Sequence, residues 1–585
     1  MNRVSPQPDG SLLIQQPDRA IQYDFGNTRL YAAVNGRGEL LRLHPNHCVT
    51  LIKRWQVKIN GEPIAFDSAR GIGRSWELRN ANLCVVTFAD SDSSCVFQTW
   101  HAAAPTQIEL EIEFDLGAEA NRIVGADGAI TAQGQVAASL ASSAQPLEIQ
   151  VDRSILRAIY PIKSSLTLCL ADGDSARHLI ATASAAHDET TAWSAWLSEQ
   201  ARGLEALPAS MVVACLACSH ASYKIIEPEF KGFFAGPNYT GFPRVYFRDG
   251  YWTAQVVVRS NPRAVRDHLL ALSHGVRRDG RCPSGVFAPS WKGADDPESL
   301  AWLPDHLDSP AFYVMLARDY THATGDATIL GETIQGWTFW ERVVACLDRL
   351  TSSAPDGLLQ KDHRANDWAD NVIRSTQVTY DQALYYRALL CGAALAQERG
   401  EATLTETWTT QAHFARDAAN KFLWDESRGY YIDYARDDFV EDHLTADSLL
   451  TILYGLADET QTQKILSAAH RLLQSHHNAE QRWGDWGVLC AYPLYKRSMD
   501  LFEKSADPFR YHNGSDWPYL DAIYALVLKQ RDDPDWFYVA TRWWEYGLAQ
   551  GWLTPVEYFS PTHPVGGFLQ AWSGLPALVL LDNNF

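Results

Sequence analysis

From Gln107 to Asp115 apolar and acidic residues alternate, with Ile108, Leu110, Ile112 and Phe114 on one face and Glu109, Glu111 and Glu113 on the other. A period of two predicts a strand buried on one side. Shorter apolar runs at 12–14, 48–52, 83–88, 95–100 and 166–170, parted by clusters of Gly, Asp, Asn and Ser, extend strand character over residues 1–195. Many short strands with polar turns predict a β-sandwich. Near Thr190 the period changes. Residues 193–207 read as an amphipathic helix, and from Met211 onward apolar residues recur mostly at helical spacing between Gly- and Pro-containing loops. Helices are expected at 308–324, 378–397, 411–422, 447–456 and 521–529, with Asp308 as N-cap and Gly325 as stop for the first. Residues 196–228 are expected to be a helical connection into a second domain, 229–585. Helix pairs of about 60 residues each would make that domain six hairpins closing into a ring.

Composition narrows the choice of ligand. The 585 residues carry 70 acidic against 50 basic side chains, a formal charge of −20, which argues against nucleic acid or an anionic membrane as partner. No apolar run reaches the roughly 20 residues of a membrane span, and the first ten residues lack the apolar core of a secretory signal, so a cytoplasmic protein is expected. Ten cysteines fit buried thiols; the close pair Cys215 and Cys218 sits in an apolar run with no second pair at metal-ligand spacing. With 21 Trp, 24 Tyr and 22 Phe the chain is rich in aromatic faces, which stack well on sugar rings.

Four polar stretches carry candidate chemistry. Arg244–Trp252 contains the adjacent Arg248 and Asp249 framed by aromatics; it reads as a clamp for vicinal hydroxyls or as a structural ion pair. Asn366–Arg374 places Trp368 between Asp367 and Asp370. Tyr511–Tyr519 brings His512, Asn513 and Trp517 into a loop that also reads as an N-capping turn. In Thr554–Pro561 a single Glu557 stands among Pro, Tyr and Phe, followed by Gly566-Gly567 and Trp572. Burial would raise the pKa of that carboxyl unless hydrogen bonds hold it ionised. The acidic clusters lack calcium-loop spacing, so no metal and no cofactor are expected.

In this order the motifs Arg-Asp-Gly-Tyr-Trp, Asp-Trp-Ala-Asp, His-Asn-Gly-Ser-Asp-Trp-Pro and Pro-Val-Glu-Tyr-Phe-Ser-Pro resemble those of inverting glycosidases on an (α/α)6 barrel. Glucoamylases, the amylo-1,6-glucosidase half of glycogen debranching enzymes and neutral invertases are similar, over roughly residues 225–585. The resemblance implies a β-sandwich followed by an (α/α)6 toroid. It also implies an exo-acting hydrolase that removes a terminal sugar, glucose in α linkage, from an oligosaccharide or glucan. Asp370 would be the general acid and Glu557 the general base, with Arg248 and Asp249 gripping the terminal sugar. His512, Asn513 and Trp517 would form a sugar loop, and Trp252, Trp368 and Trp572 would line the pocket. Ala369 stands where Met is usual and Asp367 is an additional acid. Asp367 is therefore read either as the acid itself or as a neighbour that raises the pKa of Asp370 by like-charge repulsion. The same ring also hosts β-linked glycosidases, phosphorylases, epimerases and lyases, and a carbohydrate-binding protein without activity is the non-enzyme alternative.

Overall fold

A computed structural model describes residues 3–117, 122–126, 129–361, 367–436, 439–440, 443–497 and 503–581; Asn366, at the edge of the Asp-Trp-Ala-Asp stretch, lies outside them. The first part is strand-rich. Ten strands form one antiparallel sheet from Arg3–Pro6 at one edge to Arg122–Ala126 at the other, and five more form a second sheet around Thr106–Phe114. In Thr106–Phe114 the alternation places Ile108, Leu110, Ile112 and Phe114 in the core. Glu111, on the outer face, meets Arg157 at 2.6 Å and Arg54 at 2.7 Å. The strand expected at 48–52 instead begins at Ile52 and runs to Ile59. Residues 48–51 turn back onto the preceding strand, with Cys48 N–H donating to Pro45 O and Leu51 N–H to Leu43 O.

Helices take over after Ser165–Asp172. The helix expected at 193–207 runs over Ala183–Gln200 and stops before Gly203, whose φ of +88° breaks it; Ala206–Ala221 then starts afresh. That second helix, within the expected connection, is largely buried and packs against Ala571–Gly574 and Pro576–Leu580.

The ring closes. Its inner wall runs through Phe247–Val257, Asp308–Thr324, Thr379–Glu398, the short turns Ala446–Leu449 and Leu450–Leu453, Pro518–Lys529, and Ala571–Gly574 with Pro576–Leu580. Each packs on the next and Ala571–Gly574 returns to Phe247–Val257. The element expected at 447–456 is only these two short turns, ended before Gly455 at φ +77°. Outer helices alternate with the inner ones in the chain: Pro262–Ser273, Phe339–Ser352, Ala402–Phe422, Glu459–Leu472 and Trp536–Gln550, with Ala206–Ala221 before the first. They show one apolar face. In Phe339–Ser352 the buried Phe339, Trp340, Val343, Cys346, Leu347 and Leu350 form a helical stripe, started by a capping box between Thr338 and Glu341. Ala402–Phe422 begins nine residues before the expected start because its first turns are threonine-rich, and its buried stripe reaches back to Trp408. No helix among the described residues is long and apolar enough to cross a membrane.

The strand-rich part rests on the ring through buried polar links. Lys224, fully buried, donates to the carbonyls of Asn27 and Leu30 at 2.5 and 2.8 Å, and its ammonium lies 3.4 Å from the centre of the Tyr31 ring. Replacing Lys224 by Met keeps the apolar stem but removes both donations. Stability is expected to fall by about 1–3 kcal/mol, the usual cost of unsatisfied buried acceptors, measured by urea unfolding.

Candidate active site

One end of the ring collects the charged groups. Asp249, Asp308, Asp381, Asp447 and Asp521 each lie in the first turn of an inner-wall element. Four of them are buried, and Asp249 is partly open. The sixth element starts instead after Gln570, whose amide approaches Asp249 Oδ1 at 3.5 Å. The loops entering these elements carry the four sequence motifs, so the ring brings together residues that are far apart in the chain.

Beneath the pocket lies a sealed ion network. Arg374, with no exposure, donates to Asp433 at 2.6 Å and Asp447 at 2.8 Å and lies 3.4 Å from Asp367. Asp367 also binds the Lys361 ammonium and accepts from Ala369 N–H at 2.8 Å. Burial alone would raise its pKa, but Arg374 and Lys361 outweigh that and hold Asp367 well below the usual carboxylate range. Asp433 lies nearer to Arg374 yet is pushed up to about 6, because burial outweighs Arg374 and the Tyr495 hydrogen bond while Asp447 repels its charge. Trp368 donates from its indole to Asp447 and packs edge-on against His512, Trp517 and Tyr519. Arg248 pairs with Asp308 at 2.7 Å, a carboxylate that Tyr380 also reaches at 3.2 Å.

Near this network three carboxyls feel one another's charge. Asp249 is raised to about 7 by burial, against the pull of Arg248, with Glu557 and Asp370 adding repulsion. Asp370 is raised by burial, which Arg248 and Lys504 partly offset, and it accepts from Asn371 Nδ2 at 2.6 Å. Glu557 is raised by burial, with Lys504 pulling against it and Asp370 pushing with it; Gly567 N–H donates to it at 3.3 Å. Lys504 holds its ammonium 3.4 Å from the centre of the Tyr511 ring. His512 is buried with Nδ1 3.9 Å from Asp370, and burial keeps its pKa well below the ordinary value, so the ring is neutral. Trp517 stacks on His512 at 5.0 Å and on Tyr558 at 5.2 Å. Protonated and ionised carboxyls in one aromatic-walled space can divide acid and base work on a bound glycoside.

Residues 347–562 match the family described as Mannosylglycerate hydrolase MGH1-like glycoside hydrolase domain. The matched stretch includes Asp370, His512 and Glu557. A bacterial glucoamylase solved in complex with acarbose has the same glucoamylase-like (α/α)6 fold, with a TM-score of 0.66, 12% identity, and coverage of 97% of this chain and 94% of its own. The N,N'-diacetylchitobiose phosphorylase of Vibrio furnissii is 24% identical over 266 residues, 39% of this chain, and the aligned stretch spans about a third (32%) of that phosphorylase.

The expected residues divide. Asp249, Asp370 and Glu557 lie close enough to feel one another's charge, with His512 beside Asp370 and Trp368 and Trp517 packed against His512. Trp572 stacks on Tyr519 at 4.4 Å. Trp252 is core, packed among Tyr251, Phe312 and Tyr519. Asn513 spends its side chain on the fold, donating to Tyr495 O and Ser505 O and accepting from Tyr495 N–H. Arg248 and Asp249 form no ion pair with each other: neighbours on a helix point about 100° apart, and Arg248 binds Asp308 at 2.7 Å. Asp308 is not an N-cap; Leu307 holds that position. Nor does Asp367 raise Asp370, because its own charge is met by Lys361 and Arg374. Lys504 and Gln570 were not among the expected site residues. Gln570 was readable as the residue just before a Gly-containing turn, whereas nothing around Lys504 marks it.

Replacing Arg374 by Leu leaves Asp367, Asp433 and Asp447 without their shared cation. Stability is expected to drop by at least about 3–5 kcal/mol, the cost of breaking a buried ion network from one side, as measured by chemical denaturation.

Proposed function

We propose that the chain is an exo-acting, anomer-inverting glycosidase that removes one terminal sugar from a short glycoside or glucan end. The supporting observation is that Asp370 and Glu557, from loops far apart in the chain, raise their pKa values inside one pocket without bonding to each other. Inversion needs such a pair, separated by about 6.5–9.5 Å so that a sugar and a water fit between. Asp370 gives its proton to the glycosidic oxygen as the bond from that oxygen to the anomeric carbon breaks. Water attacks the opposite face of that carbon, and Glu557 takes the proton it releases. Asp249 and Arg248 hold the terminal sugar, Arg248 braced by Asp308. Asp367, ionised and sealed below, has no proton to donate, which leaves Asp370 as the acid. The catalytic ring is taken as 229–585, reached through 196–228 from a β-sandwich of 1–195.

Glucose in α linkage is the first substrate choice, from the glucoamylase-like fold. Mannosylglycerate, the glycoside in the matched family's description, is the second. Phosphorolysis is the rival reaction, favoured by the phosphorylase relative; a phosphate in place of the water would sit against the Glu557 carboxylate, and that repulsion favours hydrolysis.

Asp370→Asn and Glu557→Gln are each expected to lower kcat at least about a hundredfold with the fold intact. Proton NMR during early turnover should show product with the anomeric configuration opposite to the substrate, and retention would refute the mechanism. Turnover that requires inorganic phosphate would replace hydrolysis by phosphorolysis. With both carboxyls raised, kcat/KM should fall on the acid side as Glu557 gains its proton and on the alkaline side as Asp370 loses its own. Fluoride glycosides, whose leaving group needs little protonation, should lose the alkaline limb and recover activity in Asp370→Asn.

A further inference from the structure

A second cluster of donor atoms lies on the outer wall of the ring. His470 occupies the last turn of Glu459–Leu472, His477 the turn that follows, and Asp535 the residue before Trp536–Gln550. One donor atom from each of the three falls within 4.8 Å of the others. His470 Nε2 is 2.8 Å from Asp535 Oδ2. The His470 and His477 rings stack at 3.9 Å between centres, and the His476 ring is tilted against His477 at 3.8 Å. An ordinary His–Asp ion pair explains the first contact but not three imidazoles in a row. Protonating them together would set like charges side by side. Imidazole nitrogens so placed can offer their lone pairs to a metal ion.

We propose that His470, His477 and Asp535 bind one divalent transition-metal ion of the zinc class, joining two outer helices of the ring. Two imidazole nitrogens and one carboxylate oxygen suit zinc, whereas calcium and magnesium seek oxygen-rich sets. His470 and Asp535 are half-buried and His477 is exposed, so water can complete the coordination. Backbone bonds fix the turn that carries the ligands: Leu473 N–H donates to Ala469 O and His477 N–H to Gln474 O. The expectation of no metal rested on calcium-loop spacing among acids, and these ligands lie outside any such loop, with Asp535 far from the histidines in sequence.

The test is calorimetric titration of chelator-treated protein with zinc chloride at pH 7.5, beside magnesium chloride, together with thermal melts in each metal. One zinc per chain with a raised melting temperature is expected, and no response to magnesium. His477→Ala, at an exposed position that should not disturb folding, should weaken zinc binding by at least about tenfold, no less than the loss of an outer partner of a metal ligand costs. His563→Ala, a histidine outside the cluster, should bind as the parent does. Zinc binding should also fade as the pH falls and the imidazoles take up protons. Absence of a zinc response, or an equal response in His477→Ala, overturns the site.

Discussion

The guanidinium of Arg374 is the constraint on which the pocket depends. It is buried, so its charge must be met inside the protein, and it is met by carboxylates from three separate segments, at Asp367, Asp433 and Asp447. Each of these passes the constraint onward. Asp447 fixes the indole of Trp368, Asp433 accepts from Tyr495 at 2.5 Å, and Tyr495 is tied through its backbone to Asn513. The loop before Pro518–Lys529 and the loop before Thr379–Glu398 are thus held in one register by one ion. Such a network adds little net stability over apolar packing, and its contribution is geometric, because few other arrangements satisfy all of its charges.

Burial pushes up Asp249, Asp370, Asp433 and Glu557, and Asp367 escapes that rise because it touches two cations, Lys361 and Arg374. Each inner-helix acid also sits where the helix dipole favours a carboxylate, an effect of about 0.3–1 kcal/mol, rising to about 2 in buried geometries. Desolvation can move a buried group by up to about 3–5 pKa units, each worth 1.36 kcal/mol, so it outweighs the dipole unless a cation is in contact. Asp367, with two cations, stays ionised. Asp249, with Arg248 committed mainly to Asp308, rises to about 7. A floor of fixed charges and a rim of movable protons follow from the same burial.

Local periodicity was enough to locate many of the elements, and the chain order of four motifs was enough to point at the ring. The helix at 308–324 was legible to the residue because Gly325 stops it, and Thr106–Phe114 because its glutamates alternate. What stayed hidden depends on three-dimensional partners. Asp308 has the composition of a cap, yet its carboxylate turns inward because Arg248 and Tyr380 wait there. Asn513 has the composition of a sugar ligand, yet the loop consumes its amide. Asp367 looked equivalent to Asp370 in sequence, and Lys361 and Arg374, one upstream and one downstream, pull the first down while burial pushes the second up. The motif fixed the neighbourhood, while the cations fixed the roles.

Lys504 extends this logic to the rim itself. Its ammonium pulls down both Asp370 and Glu557 and also depresses His512. A cation shared by two acids cannot set them apart; it lowers both, and the difference between them must come from what else each touches. Glu557 has a backbone N–H from Gly567 and Asp370 the amide of Asn371. Glu557 also feels the charge of Asp370 if that group ionises. Asp370 thus pushes Glu557 up by like-charge repulsion, while Lys504 pulls both acids down.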